Sequence, residues 1–149
     1  MLLNCNLTSV GSVPAAVLCP KRNELSMSHV IDPRKVAANL SDFWSPRIVA
    51  EMDDSFVKVA KIKGEFPWHT HEHEDEMFMV LDGEMSIELQ DRTVKLKCGE
   101  LFVVPKGTRH HPVAEEVCLI MLFEPKSTEH MGGVVNDNTR TIAEQRGPQ

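Results

Sequence analysis

The chain has 149 residues, the usual length of one domain, and at that size folding buries roughly 68–70% of the surface an unfolded chain exposes. With 42% apolar and 26% charged residues, and no apolar run of about 18 residues, the composition excludes both a disordered chain and a membrane-spanning helix. A formal charge of −6 with no Lys/Arg cluster offers no field for a phosphate backbone, so neither nucleic acid nor a membrane is expected as a partner.

Residues 1–25 differ in texture from the remainder and are expected to form a poorly packed N-terminal tail. Asn4, Asn6, Gly11 and Pro14 interrupt any apolar run, and no Lys or Arg precedes Lys21, so the pattern does not read as a secretory signal. The four cysteines are too few for a disulfide scaffold: Cys5 and Cys19 fall in the tail, Cys98 and Cys118 in strand-like text. They are read as reduced thiols, which predicts a cytoplasmic location.

One domain is expected over 26–125. Asp32 suits a helix cap and Pro33 the first helical position, with Val36, Leu40 and Phe43 at i, i+4 and i+7; this predicts a short surface helix closed by Pro46. Strands are predicted at 47–51, 56–63, 76–81, 85–90, 93–97, 101–104 and 117–123. They are punctuated by Asp53-Asp54, Asp82-Gly83, Asp91-Arg92, Gly99-Glu100 and Pro105-Lys106-Gly107, the dipeptides that tight turns use. Seven short strands at such spacing argue for an all-β sandwich or barrel. Met85, Ile87 and Leu89 alternate with Ser86, Glu88 and Gln90, placing one face in a core.

Two segments, Met77 to Leu81 and Cys118 to Phe123, are apolar on both faces, and such a strand needs a cover on its outer side. A second copy of the chain, giving a homodimer, is the expected cover, with the N-terminal helix as the alternative. Residues 126–149 are expected to form an extended C-terminal tail lying along the sandwich.

Five of the seven histidines fall in two windows: His69, His71 and His73, then His110 and His111. Neutral nitrogens joined by one hard oxygen suit Fe, Mn, Co, Ni or Zn. In an extended chain His69 and His71 point to one face, Glu76 returns a carboxylate across the polar stretch Glu72 to Asp75, and His110 arrives from the turn at Pro105-Lys106-Gly107. His73, in an acidic loop, is read as a surface residue. His111 must point away from His110.

His69-Thr70-His71, Glu76 and Gly83 in sequence, followed by Gly99, Pro105-Lys106-Gly107 and His110, resemble the two motifs of the cupin superfamily, in order and spacing. Gly64 stands one residue nearer His69 than in the usual first motif, and Ala114 takes a place where the second often has Asn; neither position is a ligand in the family. The text around Asp75 to Gly83 and His111 to Pro125 is similar to small single-domain cupins. The resemblance implies a double-stranded β-helix, or jelly-roll β-sandwich, often dimeric, with a divalent transition metal (Fe, Mn, Zn or Ni) inside one end on His69, His71, Glu76 and His110.

Such a centre keeps net positive charge and would polarise a carbonyl, enediol, carboxylate or sugar-like oxygen. The small-molecule pocket is expected along Phe66, Trp68, Phe78 and Val80. The sequence offers no catalytic acid or base by itself. Two function classes therefore stand: a metal-dependent enzyme, dioxygenase-like or isomerase/lyase-like, and a non-catalytic module that binds or senses a small ligand.

Overall fold

The computed structural model describes residues 30–130, 132 and 139–147; the predicted tail at 1–25, with Cys5 and Cys19, lies outside them. Helix α1 (Pro33–Ala38) leads into β1 (Arg47–Met52), β2 (Ser55–Glu65), β3 (Glu76–Asp82), β4 (Glu84–Leu89), β5 (Thr93–Lys97), β6 (Leu101–Val104) and β7 (His110–Pro125), and α2 (Ile142–Arg146) closes the order. The pairings among these seven strands are all antiparallel.

The long β7 organises the sandwich. Its second half lies between β2, through Val59↔Met121, and β3, through Met79↔Met121, in a layer ordered β1-β2-β7-β3-β6. Its first half pairs with β4 through Ile87↔Pro112, and β4 pairs with β5. The register of β2 on β7 slips between Ile62 and Gly64, where the φ of Gly64 is +78°. Such a bulge bends a strand, and here it lets β7 serve both layers.

The period-two pattern then sends alternate side chains inward. Ile62 and Ala60 of β2, Phe78 and Val80 of β3, Met85 and Ile87 of β4, Leu96 of β5, Val104 of β6, and Ile120 and Leu122 of β7 close one core. A jelly-roll sandwich of this kind manages its edges by folding one sheet over another.

The N-terminal helix is shorter than its apolar spacing predicts. Asp32 caps it, its side chain accepting the Lys35 N–H, but α1 stops at Ala38, and Asn39, Ser41 and Asp42 are residues that compete with helix for their own backbone bonds. Phe43 is therefore not on the helix; it bridges to Lys61 and is 42% exposed. Ala37 of the helix packs on Val59 and Leu119, with Val36, Leu40, Val49, Leu81 and Met121 around them. The helix thus covers part of the doubly apolar strands, as the alternative reading supposed, while Leu101 and Val103 remain exposed.

Among the described residues beyond Pro125 the chain forms a second helix and is not wholly extended. Thr141 and Glu144 form a reciprocal capping box that starts α2, and Arg146 pairs with Glu51 at 2.6 Å. Gln145 is buried there.

Candidate metal centre

The His-rich loop and the Pro105-Lys106-Gly107 turn are tied together by backbone. The Gly107 N–H donates to the His71 carbonyl at 2.7 Å, His69 and His110 exchange N–H···O bonds at 3.1 and 3.0 Å, and the Lys106 N–H donates to Asp75 Oδ1 at 2.9 Å. Gly107 at φ +74° makes the turn possible, since an L side chain rarely adopts that conformation. Two stretches about forty residues apart in sequence thereby present their imidazoles side by side.

His69, His71, Glu76 and His110 are all buried, and one ligand atom from each lies within 4.8 Å of all the others. Ring centroids are 4.1 Å apart for His69 and His110, 5.1 Å for His69 and His71 and 5.9 Å for His71 and His110. His69 Nδ1 donates to the Pro67 carbonyl at 2.9 Å and His110 Nδ1 to the Thr108 carbonyl at 3.0 Å. A carbonyl can only accept, so each neutral ring carries its hydrogen on Nδ1 and leaves Nε2 as a bare lone pair. This is how metal-ligating histidines are commonly oriented.

The consequence is a shortage of positive charge. His110 Nε2 faces Glu76 Oε2 at 3.2 Å, and His71 Nε2 faces the same oxygen at 3.4 Å yet is buried without a hydrogen-bond partner. His110 Nε2 and Glu76 Oε2 are both acceptors and need a proton or a cation between them, and the buried His71 Nε2 beside them is left unsatisfied as well. A single divalent ion satisfies the lone pairs and the carboxylate together, so the donor set fits a transition metal.

The electrostatics agree. Burial works to raise the Glu76 pKa, but the His110 and His71 rings overcome it and hold the carboxyl well below its usual range. Burial pulls His69 down to about 4, with the His110 ring adding to the fall. His71 is also pulled down by burial, but the Glu76 carboxylate outweighs this and the net shift is upward from 6.5.

Around the group, Phe66 meets His69 edge-on at 5.3 Å and Phe78 meets His110 edge-on at 6.1 Å. Val80 is fully buried in the core next along β3. Trp68 goes elsewhere: one residue before His69 it points to the opposite face, stacked 5.0 Å from His111, with the Arg109 guanidinium 5.4 Å from its ring. His111 Nδ1 in turn meets Glu88 at 3.1 Å, and His73 is exposed.

Three further residues belong to this end of the barrel. Lys58 and Glu124 form a fully buried ion pair. Continuing the register Met77↔Phe123 by one residue sets Glu124 beside Glu76. Burial and the Glu76 charge push the Glu124 pKa up, against the pull of Lys58. His130 packs on Phe66 with centroids 5.6 Å apart. Lys58 was legible in principle, since Phe56, Lys58, Ala60 and Ile62 share one face of β2; nothing local to His130 marks it.

An antiparallel double-layered sandwich carrying a buried His3Glu group that could hold a metal ion defines the class of protein. The chain belongs to the cupin family: its Cupin domain model matches residues 55–130. It is 41% identical over 82 residues to the uncharacterized protein YdbB of Bacillus subtilis (strain 168), covering 54% of this chain and 73% of YdbB. A solved cupin-2 domain containing protein from Shewanella frigidimarina NCIMB 400 is 43% identical, with a TM-score of 0.63 over 64% of this chain and 94% of that one. Protein NMB1881 from Neisseria meningitidis is 28% identical, with a TM-score of 0.60 over 65% and 99% of the two chains.

Proposed function

We propose that the chain holds one divalent transition metal (Fe, Mn, Zn or Ni) on His69, His71, Glu76 and His110, and there binds or acts on a small oxygen-bearing molecule. The observation that carries this reading is the bare Nε2 of His110 facing Glu76 Oε2 at 3.2 Å while the buried His71 Nε2 has no partner. A bound divalent ion would polarise a carbonyl, enediol, carboxylate or sugar-like oxygen. Phe66 and Phe78 give that oxygen an apolar surround, and Val80 closes the wall below Phe78. Low polarity strengthens every charge interaction inside. Trp68, turned toward His111, is left out of this pocket.

Metal analysis of protein purified without added metal tests the reading. About one equivalent per chain is expected; protein that stays metal-free and takes up no offered divalent ion contradicts it. Iron together with substrate-dependent oxygen uptake would mark a dioxygenase-like enzyme, and turnover of small hydroxyketones or sugars an isomerase/lyase-like one. Tight metal without turnover on such a panel would mark the binding or sensing module.

A homodimer and a cytoplasmic location complete the proposal. Val103, Met77 and Phe123 form one cross-strand row, and Leu101, Met79 and Met121 the next, with Leu101 55% and Val103 44% exposed. A contiguous apolar sheet face of this kind is commonly hidden by pairing. Cys98 and Cys118, the described cysteines, are both free thiols, consistent with a reducing compartment. Sedimentation at micromolar concentration is expected to give twice the chain mass; a monomer contradicts the pairing.

A further inference from the structure

His130, outside both histidine windows, packs on the same Phe66 ring that meets the ligand candidate His69. Its Nδ1 accepts the backbone N–H of Arg140 at 3.2 Å, so the neutral ring must carry its hydrogen on Nε2. That is the reverse of His69 and His110, whose Nδ1 atoms donate to carbonyls. The contrast in tautomer divides the imidazoles by role: two offer a lone pair, and His130 offers an N–H.

Position and charge state support the division. His130 and His69 pack on the same Phe66 ring, at 5.6 and 5.3 Å between centroids, so one aromatic ring links His130 to the ligand group. Burial, then the nearby Lys58 ammonium, push the His130 imidazole down to about 4, leaving it uncharged at neutral pH. Glu76 and His71 are among the groups whose charge acts on it, yet it stands outside the four whose ligand atoms converge within 4.8 Å. Lys58, the other donor nearby, is committed to Glu124.

A neutral N–H donor of fixed tautomer, beside a cation site and walled by an aromatic ring, is complementary to an oxygen carrying negative charge. We infer that His130 is a ligand-binding residue of the centre: its Nε2–H donates to the second oxygen of a carboxylate or enolate whose first oxygen is held at the His3Glu group. The inference rests on the metal reading above and narrows the ligand class to small molecules with two such oxygens.

The test uses the full chain loaded with Co(II), titrated with acetate and separately with thiocyanate, and followed by visible absorption. Acetate has a second oxygen for His130; thiocyanate has none. In His130→Ala the cobalt stoichiometry should stay at that of the wild type, acetate should weaken about tenfold, the loss of one good hydrogen bond, and thiocyanate should change by less than about twofold. His130→Gln, which restores an N–H near the Nε2 position, should recover most of the acetate affinity. Equal weakening of both anions, no change in either, or loss of cobalt in His130→Ala each overturns the inference. A wild type that takes no cobalt brings down the metal reading itself. Imidazole nitrogen resonances of the metal-free wild type give a separate readout: the Nε2–H tautomer is expected at His130, and Nδ1–H overturns the assignment even if the alanine variant does not fold.

Discussion

Lys58 and Glu124 neutralise each other inside the barrel, whereas the neighbouring group of His69, His71, Glu76 and His110 sets one carboxylate among three imidazoles with no lysine or arginine in the group. Both are buried to a similar degree. The difference teaches how to read a buried polar cluster. A pair that closes its own charge balance is complete as folded, while a set of converging acceptors is complete only with something added.

The largest expected effect comes from opening the closed pair. Lys58→Met leaves Glu124 unpaired beside Glu76 and should cost about 3–5 kcal/mol in urea denaturation, the usual penalty for breaking a buried ion pair. Replacing both partners, Lys58→Met with Glu124→Leu, should recover most of that loss. A single variant as stable as the wild type would show that the pair is not buried as described.

The open cluster should behave differently, since its loss is read in metal rather than in fold. His110→Ala should lower metal affinity by 10–100-fold or more, about what removal of even an outer supporting group costs, measured by competition with a chromophoric chelator. Unchanged affinity would remove His110 from the ligand set.

Acidity separates the ligands next. A ligating imidazole must be neutral. His69 is already held down near 4, so it offers protons no foothold. His71 has its pKa raised above 6.5 by Glu76, so protons should begin to compete for it just above that pH and win increasingly below. The sign reverses without metal: protonated His71 stabilises the metal-free fold fully below 6.5, and that contribution fades as pH rises through the raised value. Metal affinity that is flat from pH 7.5 to about 5.5 would contradict the shift.

The smallest effect is expected at His111. Its ring lies on the opposite face, between Trp68 and Glu88, so His111→Ala should leave metal affinity within about twofold.

Much of this arrangement is visible in the text of the chain. Period-two alternation and turn dipeptides locate the strands within a residue or two, except β7, which begins at His110 instead of 117. His110 to Glu116 mixes polar and apolar residues because the strand passes from one layer to the other across a bulge, and that masks its period. The convergence of His69, His71, Glu76 and His110 is legible from the spacing of the two histidine windows, whereas the backbone bonds that join those windows are seen only in the fold. Trp68, expected in the pocket for its aromatic character, stacks on His111 instead, because it directly precedes His69 and its side chain turns the other way. Phe43 left the helix because Asn39, Ser41 and Asp42 end it. His130 and Glu124 depend on the fold as a whole: the first arrives by a chain path with no local period, and the second becomes a neighbour of Glu76 only through the β3–β7 register.

The most direct test of the central claim is X-ray absorption at the edge of the bound metal in the full chain. Three imidazole nitrogens and one carboxylate oxygen should appear in its coordination, with no sulfur, and the imidazole signal should shrink in His110→Ala. A sulfur ligand, or a coordination indifferent to His110, would contradict the account.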